Sequence, residues 1–258
     1  AITVKYDHGL PLRKIKVYEA GHPIPDQATL DGTQAILDLV QGLDENDLVL
    51  ALISGGGSAL LELPAPPITL EDLQATNATL LVCGASIAEM NAVRRHISLV
   101  KGGGLAQAAY PARVITLAVS DVIGNPPESI SSGPTAPDPS TFADALKVVE
   151  KYRLVKIPPS PLDKGGIKNK LPDTVIKHLQ EGLNGKIADT PKPGDSCFNR
   201  EDYRIIGSNR IMLEAARQEA EKLGYKTEIL TDRMSGEAHD KGAELATLLK
   251  YRQLSGKP

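Results

Sequence analysis

The segment Leu48–Leu61 constrains the fold of this chain more than any other. It opens with an unbroken apolar run, Leu48-Val-Leu-Ala-Leu-Ile53, and continues as Ser54-Gly-Gly-Gly-Ser58. An apolar run of this length is too short to cross a membrane and is typical of a strand buried on both faces of a parallel sheet. The three glycines then allow positive φ angles and close approach of a ligand to the backbone.

The residues after this glycine run can begin a helix. Unpaired backbone N–H groups at such a strand-to-helix turn would point at the space beyond the strand end. That arrangement favours an anion, most commonly phosphate. The alternative is a flexible surface loop, since Gly and Ser are also frequent in turns.

Composition narrows the class of protein. The 258 residues allow one large α/β domain or two small ones, and 41% hydrophobic residues are ordinary for a globular protein. Aromatic residues make up only 3% and there is no Trp, which argues against base-stacking platforms for single-stranded nucleic acid. The net charge of −3 argues against a broad polyanion-binding face. We therefore expect small-molecule substrates and no nucleic-acid partner.

Three further features bear on the cellular compartment and the domain organisation of the protein. Cys83 and Cys197 form no metal-binding spacing, which suits a reducing cytoplasm, and no run reaches the roughly 18 apolar residues of a membrane span. The chain begins at Ala1 without Met and ends in a linker-like Ser-Gly-Lys-Pro. We expect residues 1–258 to be a single Rossmann-like domain within a larger two-domain protein, with a flexible loop insertion at 156–170.

Strand-like and helix-like segments alternate, which predicts an α/β fold with a doubly wound, mostly parallel sheet and helices on both faces. The predicted strands are Ile2–Lys5, Ile15–Tyr18, Leu48–Ile53, Val114–Val119, Tyr203–Ile206 and Thr227–Leu230. The predicted helices are Ala28–Gln41, two that follow capping-box patterns at Thr69 and Thr141, Ile211–Leu223 and Glu237–Tyr251.

A second constellation lies between Asn91 and Gly104. If this segment is helical, Arg94, Ser98 and Lys101 share one face. Such a cationic face beside the Gly102–Gly104 run could clamp a phosphate or a carboxylate. The alternative is a solvated basic face.

A third group of polar residues follows predicted strands. Asp121 comes directly after a strand, where it could hold Mg²⁺ or accept a hydroxyl proton, or simply cap a helix or turn. Asn209 follows a later strand and is most simply the N-cap of the next helix.

Two common nucleotide-binding motifs are absent from the sequence. There is no P-loop pattern, and Leu60 stands where a dinucleotide fingerprint needs its third glycine.

Taken together, these blocks resemble the class II glycerate 2-kinases, the MOFRL family, some of whose members are called hydroxypyruvate reductases. The matching blocks run in the family's order along almost the whole chain: Glu19–Asp26, Ile53–Ala59, Asn91–Gly103, Ser120–Gly124, Ser132–Thr135, Pro191–Asp195, Gly207–Arg210 and Gly236–Ala238.

This resemblance implies ATP-dependent, Mg²⁺-assisted phosphorylation of the 2-hydroxyl of D-glycerate in a cleft between two domains. It implies phosphate or substrate binding by Ser54, Gly55, Gly56, Gly57 and Ser58, and anion contacts from Arg94 and Lys101. It assigns Asp121 to Mg²⁺ binding or proton acceptance. Further candidates for substrate or phosphate binding within the matching blocks are His22, Asn91, Ser120 and Asn209.

The chain also departs from the family pattern. Asn125 replaces a usual acidic residue, and two family parts are missing: an upstream segment with a functional lysine and a downstream Gly-Gly-Arg-Asn domain. We therefore expect the isolated chain to bind ligand weakly. Two other functions stay open, an NAD(P)H-dependent hydroxypyruvate reductase and a non-catalytic anion-binding module. A homodimer is also compatible with the sequence.

Overall fold

A computed structural model describes residues 1–155 and 170–254 of the chain. Its strands are Ile2–Lys5 (β1), Val17–Ala20 (β2), Leu48–Ile53 (β3), Arg113–Ser120 (β4) and Glu201–Ser208 (β5). Its α-helices are Gln27–Val40 (α1), Gly57–Leu60 (α2), Leu70–Val82 (α3), Ile87–His96 (α4), Gly104–Ala109 (α5), Phe142–Lys151 (α6), Asp173–Leu183 (α7), Asn209–Lys222 (α8) and Ala238–Leu254 (α9). Within these ranges, no helix combines the length and the apolar character needed to cross a membrane.

The strand pairs of the described residues are all parallel, so the predicted parallel α/β class is confirmed. In the described part of the chain, β1 pairs with β2, and a second sheet has the order β3-β4-β5. Ile53 is the register partner of Ala118, and Ser120 is the partner of Ser208. The carboxyl ends of β3, β4 and β5 therefore meet at one edge of the sheet, where α/β proteins place their ligand sites.

Most of the predicted elements are present, with two differences. The second strand begins two residues later than predicted, at Val17, and Thr227–Leu230 forms no strand. The second difference has a physical cause, because β structure depends on a paired neighbour and no described strand pairs with this segment. The capping boxes at Thr69 and Thr141 are confirmed, each side chain accepting a hydrogen bond from the backbone N–H three residues later.

Helices α3, α4, α6 and α7 enclose the larger of two apolar clusters, which includes Leu73, Val93, Phe142 and Val175. A smaller cluster joins α1, α5 and β4. Because α4 is part of the larger cluster, the polar residues on its other sides are held on a rigid support.

The prediction that β3 is buried on both faces is wrong. Leu48, Leu50 and Leu52 are 58%, 56% and 64% exposed. Strand β3 is an edge strand, and it lines a groove of about 750 Å³ together with β1. The glycines after β3 stand at one end of this groove.

Two predictions about organisation are not tested by the structure. The predicted loop insertion at 156–170 lies outside the described residues except for Lys170. The single-domain organisation of residues 1–258 stays a prediction.

Glu201, at the start of β5, makes the stability of the fold depend on pH. Its Oε1 lies 3.4 Å from the Thr116 hydroxyl. Burial raises the pKa of Glu201 to about 7, while hydrogen bonds from Thr135 and Thr116 act in the opposite direction. Between its ordinary pKa of 4.5 and about 7, the native state keeps a proton that the unfolded state has lost, so stability falls as the pH rises.

We expect Glu201→Gln to raise the free energy of unfolding of the full-length gene product by roughly 1–2 kcal/mol at pH 8 and to have little effect at pH 4. The increase at pH 8 is smaller than the pKa shift alone would give, because the carboxyl is partly exposed. Urea unfolding midpoints at the two pH values measure the difference. Glu150→Gln, at an exposed position of α6, is the matched control. An equal effect of Glu201→Gln at both pH values would contradict the burial argument.

Candidate active site

The glycine loop, residues Ser54–Ser58, joins the end of β3 to the one-turn helix α2. Strand, glycine turn and helix follow one another as the sequence predicts. Gly56 adopts a φ of 84°, a left-handed conformation that favours glycine. No acceptor in the described part of the chain engages the backbone N–H groups from Gly55 to Ser58. The loop therefore presents several free donors at the carboxyl edge of the sheet.

A second loop, the serine turn Ser131–Gly133, packs against the glycine loop. Its three residues have successive φ angles of 52°, 62° and 63°. Two successive serines with positive φ are costly for the backbone, and such strain concentrates at functional sites. The Ser131 hydroxyl donates to the Ser54 carbonyl at 3.2 Å.

Gly57 shows how close this packing is. A Cβ on Gly57 would lie 2.2 Å from Ser131 Oγ and 2.7 Å from Ser131 Cβ, so no larger residue fits without displacing the serine turn. Deeper in the contact, the Ser58 and Ser132 hydroxyls are 3.0 Å apart. The buried Asn91 of α4 accepts a hydrogen bond from Ser132 at 3.3 Å. Ser58 and Asn91, both predicted ligand residues, thus join the two loops.

Asp121 and His22 both lie close to the glycine loop. Asp121 Oδ2 is 3.7 Å from the position that a Cβ on Gly55 would take, and His22 Nε2 is 3.1 Å from the corresponding position on Gly56. Both residues are exposed. Among residues 1–155 and 170–254, no hydrogen bond or ion pair engages the Asp121 carboxylate. It is therefore available to a ligand or a cation.

Ser120 and Asn209 lie at the ends of β4 and β5 on the same sheet edge. The Ser120 hydroxyl accepts a hydrogen bond from the Val122 N–H, which shapes the turn that carries Asp121. The interpretation of Asn209 as an N-cap is wrong: Ser208 caps α8 through the Ile211 N–H, and Asn209 is the first helical residue. Its half-buried side chain is therefore not needed for capping.

The predicted cationic face of Arg94, Ser98 and Lys101 is also wrong. Helix α4 ends at His96, because the following backbone pairs with a preceding segment: Ala65 N donates to Ile97 O, and Leu99 N donates to Leu63 O. Arg94 remains on the helix, where its Nε donates to Asn77 at 2.8 Å. Burial lowers the pKa of Arg94, and the Glu62 carboxylate opposes that shift.

Lys101 is 1% exposed and lies beneath the glycine loop rather than facing its open side. Its ammonium donates to the carbonyls of Ser58 and Leu61 at 2.8 and 2.9 Å and pairs with Glu62 Oε2 at 3.0 Å. An ammonium has three N–H groups, so none is left for a bound anion. The predicted anion contact from Lys101 is not made in this geometry.

Gly102–Gly104 does not form a second anion-binding loop. Gly102 N donates to Ser132 O at 3.0 Å, Gly103 N to Gly133 O at 2.7 Å, and Gly104 N to Lys101 O at 3.0 Å. A Cβ on Gly103 would approach Phe198 to 2.7 Å. These glycines allow close packing and hold the serine turn.

The residues that the sequence analysis missed are those that shape the two loops. Glu62 is the only charged residue in the apolar run Leu60-Leu-Glu-Leu63 and is 1% exposed. An acidic residue in such a run signals a buried partner, since an unpaired buried charge is very costly. Ser131 carries no comparable sequence signal, because its φ angle and its contact with Gly57 appear only in three dimensions.

The described residues contain no group of three or more His, Cys, Asp or Glu side chains suited to a metal. They do fit a magnesium ion held mainly by substrate phosphates and water, because Mg²⁺ commonly takes only one or two protein carboxylates. Asp121 is the candidate, exposed and unpaired beside the free N–H groups of the glycine loop.

The fold and the candidate site define a parallel α/β protein with a glycine loop, a free carboxylate and an imidazole at the carboxyl edge of its sheet. Residues 1–180 match the family described as a domain of unknown function (DUF4147), and the chain belongs to that family.

Several named proteins are similar to the chain beyond the residues that the family model matches. The chain is 42% identical to a glycerate 2-kinase of Pyrococcus horikoshii over its whole length and covers 54% of that protein. It is 40% identical to an Agrobacterium vitis protein with a provisional hydroxypyruvate reductase name and covers 61% of it. A crystal structure of glycerate kinase from Thermotoga maritima matches 99% of the chain with a TM-score of 0.80 and 37% identity, and the chain covers 56% of it. The chain thus spans a little over half the length of these relatives.

Proposed function

We propose that the protein containing this chain is a glycerate 2-kinase, which transfers the γ-phosphoryl group of ATP to the 2-hydroxyl of D-glycerate and gives 2-phosphoglycerate. One observation carries the proposal: free backbone donors from Gly55 to Ser58 stand beside the unpaired Asp121 carboxylate at the sheet edge. The names of the relatives support phosphorylation of glycerate, and the name glycerate 2-kinase supports the 2-position.

The geometry supplies what phosphoryl transfer requires, which is mainly positioning and neutralisation of charge. The glycine loop donates N–H groups to phosphoryl or carboxylate oxygens without bringing a side chain that would fill the space. Ser131 fixes the loop through its hydrogen bond to the Ser54 carbonyl, and His22 lies beside Gly56, where its ring is placed to donate to an anion.

Asp121 has one of two roles. It binds Mg²⁺, or it accepts the proton of the glycerate 2-hydroxyl as that oxygen attacks the phosphorus. When bound with ATP, Mg²⁺ neutralises charge on the transferred phosphoryl group. Ser120 orients the turn that carries Asp121, and Asn209 offers a polar side chain from the neighbouring strand end.

Incubation of the full-length gene product with ATP and Mg²⁺ tests the proposal. We expect ADP to form only when D-glycerate is added. The competing reductase activity is tested in parallel by NADPH oxidation on addition of hydroxypyruvate, which Leu60 in the place of the third fingerprint glycine disfavours. Stoichiometric NADPH oxidation without glycerate-dependent ADP formation would replace the kinase proposal. An absence of both activities would favour a non-catalytic anion-binding module.

We further propose a cytoplasmic location, supported by the two unpaired cysteines, Cys83 and Cys197. A homodimer stays a prediction from the sequence.

A further inference from the structure

A buried ion pair lies directly beneath the glycine loop. Lys101 and Glu62 are each 1% exposed and their charged atoms are 3.0 Å apart. Glu62 is itself fixed, since its N–H donates to the Thr33 hydroxyl at 3.0 Å and its Oε1 accepts from the Leu63 N–H at 3.1 Å. The pair is therefore anchored on the carboxylate side.

The other two contacts of Lys101 go to the backbone of the glycine loop and its helix. The Ser58 carbonyl belongs to the one-turn helix α2, and the Leu61 carbonyl belongs to the residue that caps its C-terminus. Carbonyls at the end of a helix lack intrahelical donors, and a cationic side chain is well suited to satisfy them. The ammonium thus satisfies two carbonyls at the end of α2, the helix that directly follows the glycine loop.

The residues after Lys101 hold the second loop of the site. Gly102 and Gly103 donate their N–H groups to the carbonyls of Ser132 and Gly133 in the serine turn. One continuous segment, Lys101–Gly103, therefore contacts both the glycine loop and the serine turn, which also touch each other through Ser58 and Ser132.

We propose that Lys101, paired with Glu62, is a positioning residue that fixes the glycine loop against the serine turn and contacts no substrate. The inference rests on the proposed function, since it concerns the loop assigned there to phosphate or carboxylate binding. Because Glu62 neutralises the ammonium, the pair orders backbone carbonyls without adding a net charge beneath the site.

The alternative is that Lys101 moves out to contact an anion, and Glu62 distinguishes the two roles. If Lys101 contacts the anion, removing the charge of Glu62 frees the ammonium and leaves anion binding unchanged or stronger. If Lys101 positions the loop, Glu62→Gln weakens the same contacts as Lys101→Met and impairs the site in the same direction.

The test uses the full-length gene product carrying Lys101→Met or Glu62→Gln. Hydrogen exchange followed by mass spectrometry measures the amides of Ala59, Leu60 and Leu61, which donate to the carbonyls of Gly56 and Gly57 and therefore report on the order of the glycine loop. Steady-state kinetics measures kcat and KM for ATP and D-glycerate. We expect these amides to exchange at least tenfold faster in both variants, with kcat lowered at least tenfold in both. Lys147→Met, which removes an exposed lysine of α6, should leave the exchange and the kinetics unchanged.

A double variant, Lys101→Met/Glu62→Met, keeps the test decisive if a single variant fails to fold, because replacing both buried charges by apolar residues is often tolerated. It still lacks the donors to Ser58 and Leu61, so fast loop exchange is expected. Wild-type exchange of the loop in the variants that fold, or a lower KM for ATP in Glu62→Gln, would overturn the inference. If the wild type lacks kinase activity, the proposed function fails, while loop exchange still decides whether Lys101 positions the loop.

Discussion

Asp121→Asn is expected to lower kcat for glycerate phosphorylation by about 10²–10⁴-fold, the range associated with a positioned proton-transfer group. The variant keeps the size of the side chain but removes its charge. The carboxylate is exposed, and no described residue engages it, so little stability should be lost. Steady-state kinetics of the full-length gene product and its thermal unfolding midpoint measure the two quantities.

The same variant separates the two roles of Asp121. If the carboxylate binds Mg²⁺, a higher Mg²⁺ concentration should restore part of the lost activity; if it accepts a proton, added Mg²⁺ should have no effect. Asp31→Asn, at an exposed position of α1, is the matched control and should behave like the wild type. A kcat of Asp121→Asn within threefold of wild type would remove Asp121 from the active site.

Gly57→Ala is expected to lower kcat/KM by about 100-fold, the size of effect that a displacement near 1 Å can produce in an active site. The added Cβ would lie 2.2 Å from Ser131 Oγ, so either the glycine loop or the serine turn must move. Gly242→Ala is the matched control, because a Cβ there meets nothing within 4 Å. The kinetics of the two variants give the comparison directly.

A second substitution tests the geometric cause. Replacing Ser131 by Gly removes the two side-chain atoms that the new Cβ would strike and leaves Ser131 Cα at 3.8 Å, an ordinary contact. Glycine also suits the φ of 52° at this position. We expect Gly57→Ala/Ser131→Gly to recover most of the activity lost in Gly57→Ala. Full activity in Gly57→Ala alone would show that the packing of the two loops does not govern catalysis.

The parts of the fold that local sequence patterns encode are predictable. The order of strand β3, glycine turn and helix α2 follows from an apolar run, three glycines and the residues after them. The capping boxes at Thr69 and Thr141 begin α3 and α6 because the side chain and the backbone N–H that it pairs with are three residues apart. Such signals need no knowledge of distant parts of the chain.

The errors arise where distant contacts override local patterns. A shared face of Arg94, Ser98 and Lys101 requires a helix through Lys101, yet the chain leaves the helix at His96 to bond with Leu63–Ala65. Lysine is a residue type that commonly binds anions, but Lys101 pairs in the interior with the carboxylate of Glu62, 39 positions away in the chain. Exposure of the leucines of β3 likewise depends on which element lies beside an edge strand.

In the candidate site, too, local sequence predicts some features, whereas others depend on distant contacts. Asp121 and the glycine loop are predictable because each directly follows a strand, and parallel strands end at a common edge. The roles of Glu62 and Ser131 are not, since they depend on one buried contact and one close approach.

The central claim is that this site directs a phosphoryl group to the 2-hydroxyl of glycerate. Phosphorus NMR of the product formed by the full-length gene product from D-glycerate, ATP and Mg²⁺ tests it most directly, because the 2- and 3-phosphates of glycerate give distinct signals. We predict a 2-phosphoglycerate signal that grows with ADP and is reduced at least 100-fold in rate by Asp121→Asn. A 3-phosphoglycerate signal, or no phosphorylated glycerate, would contradict the account.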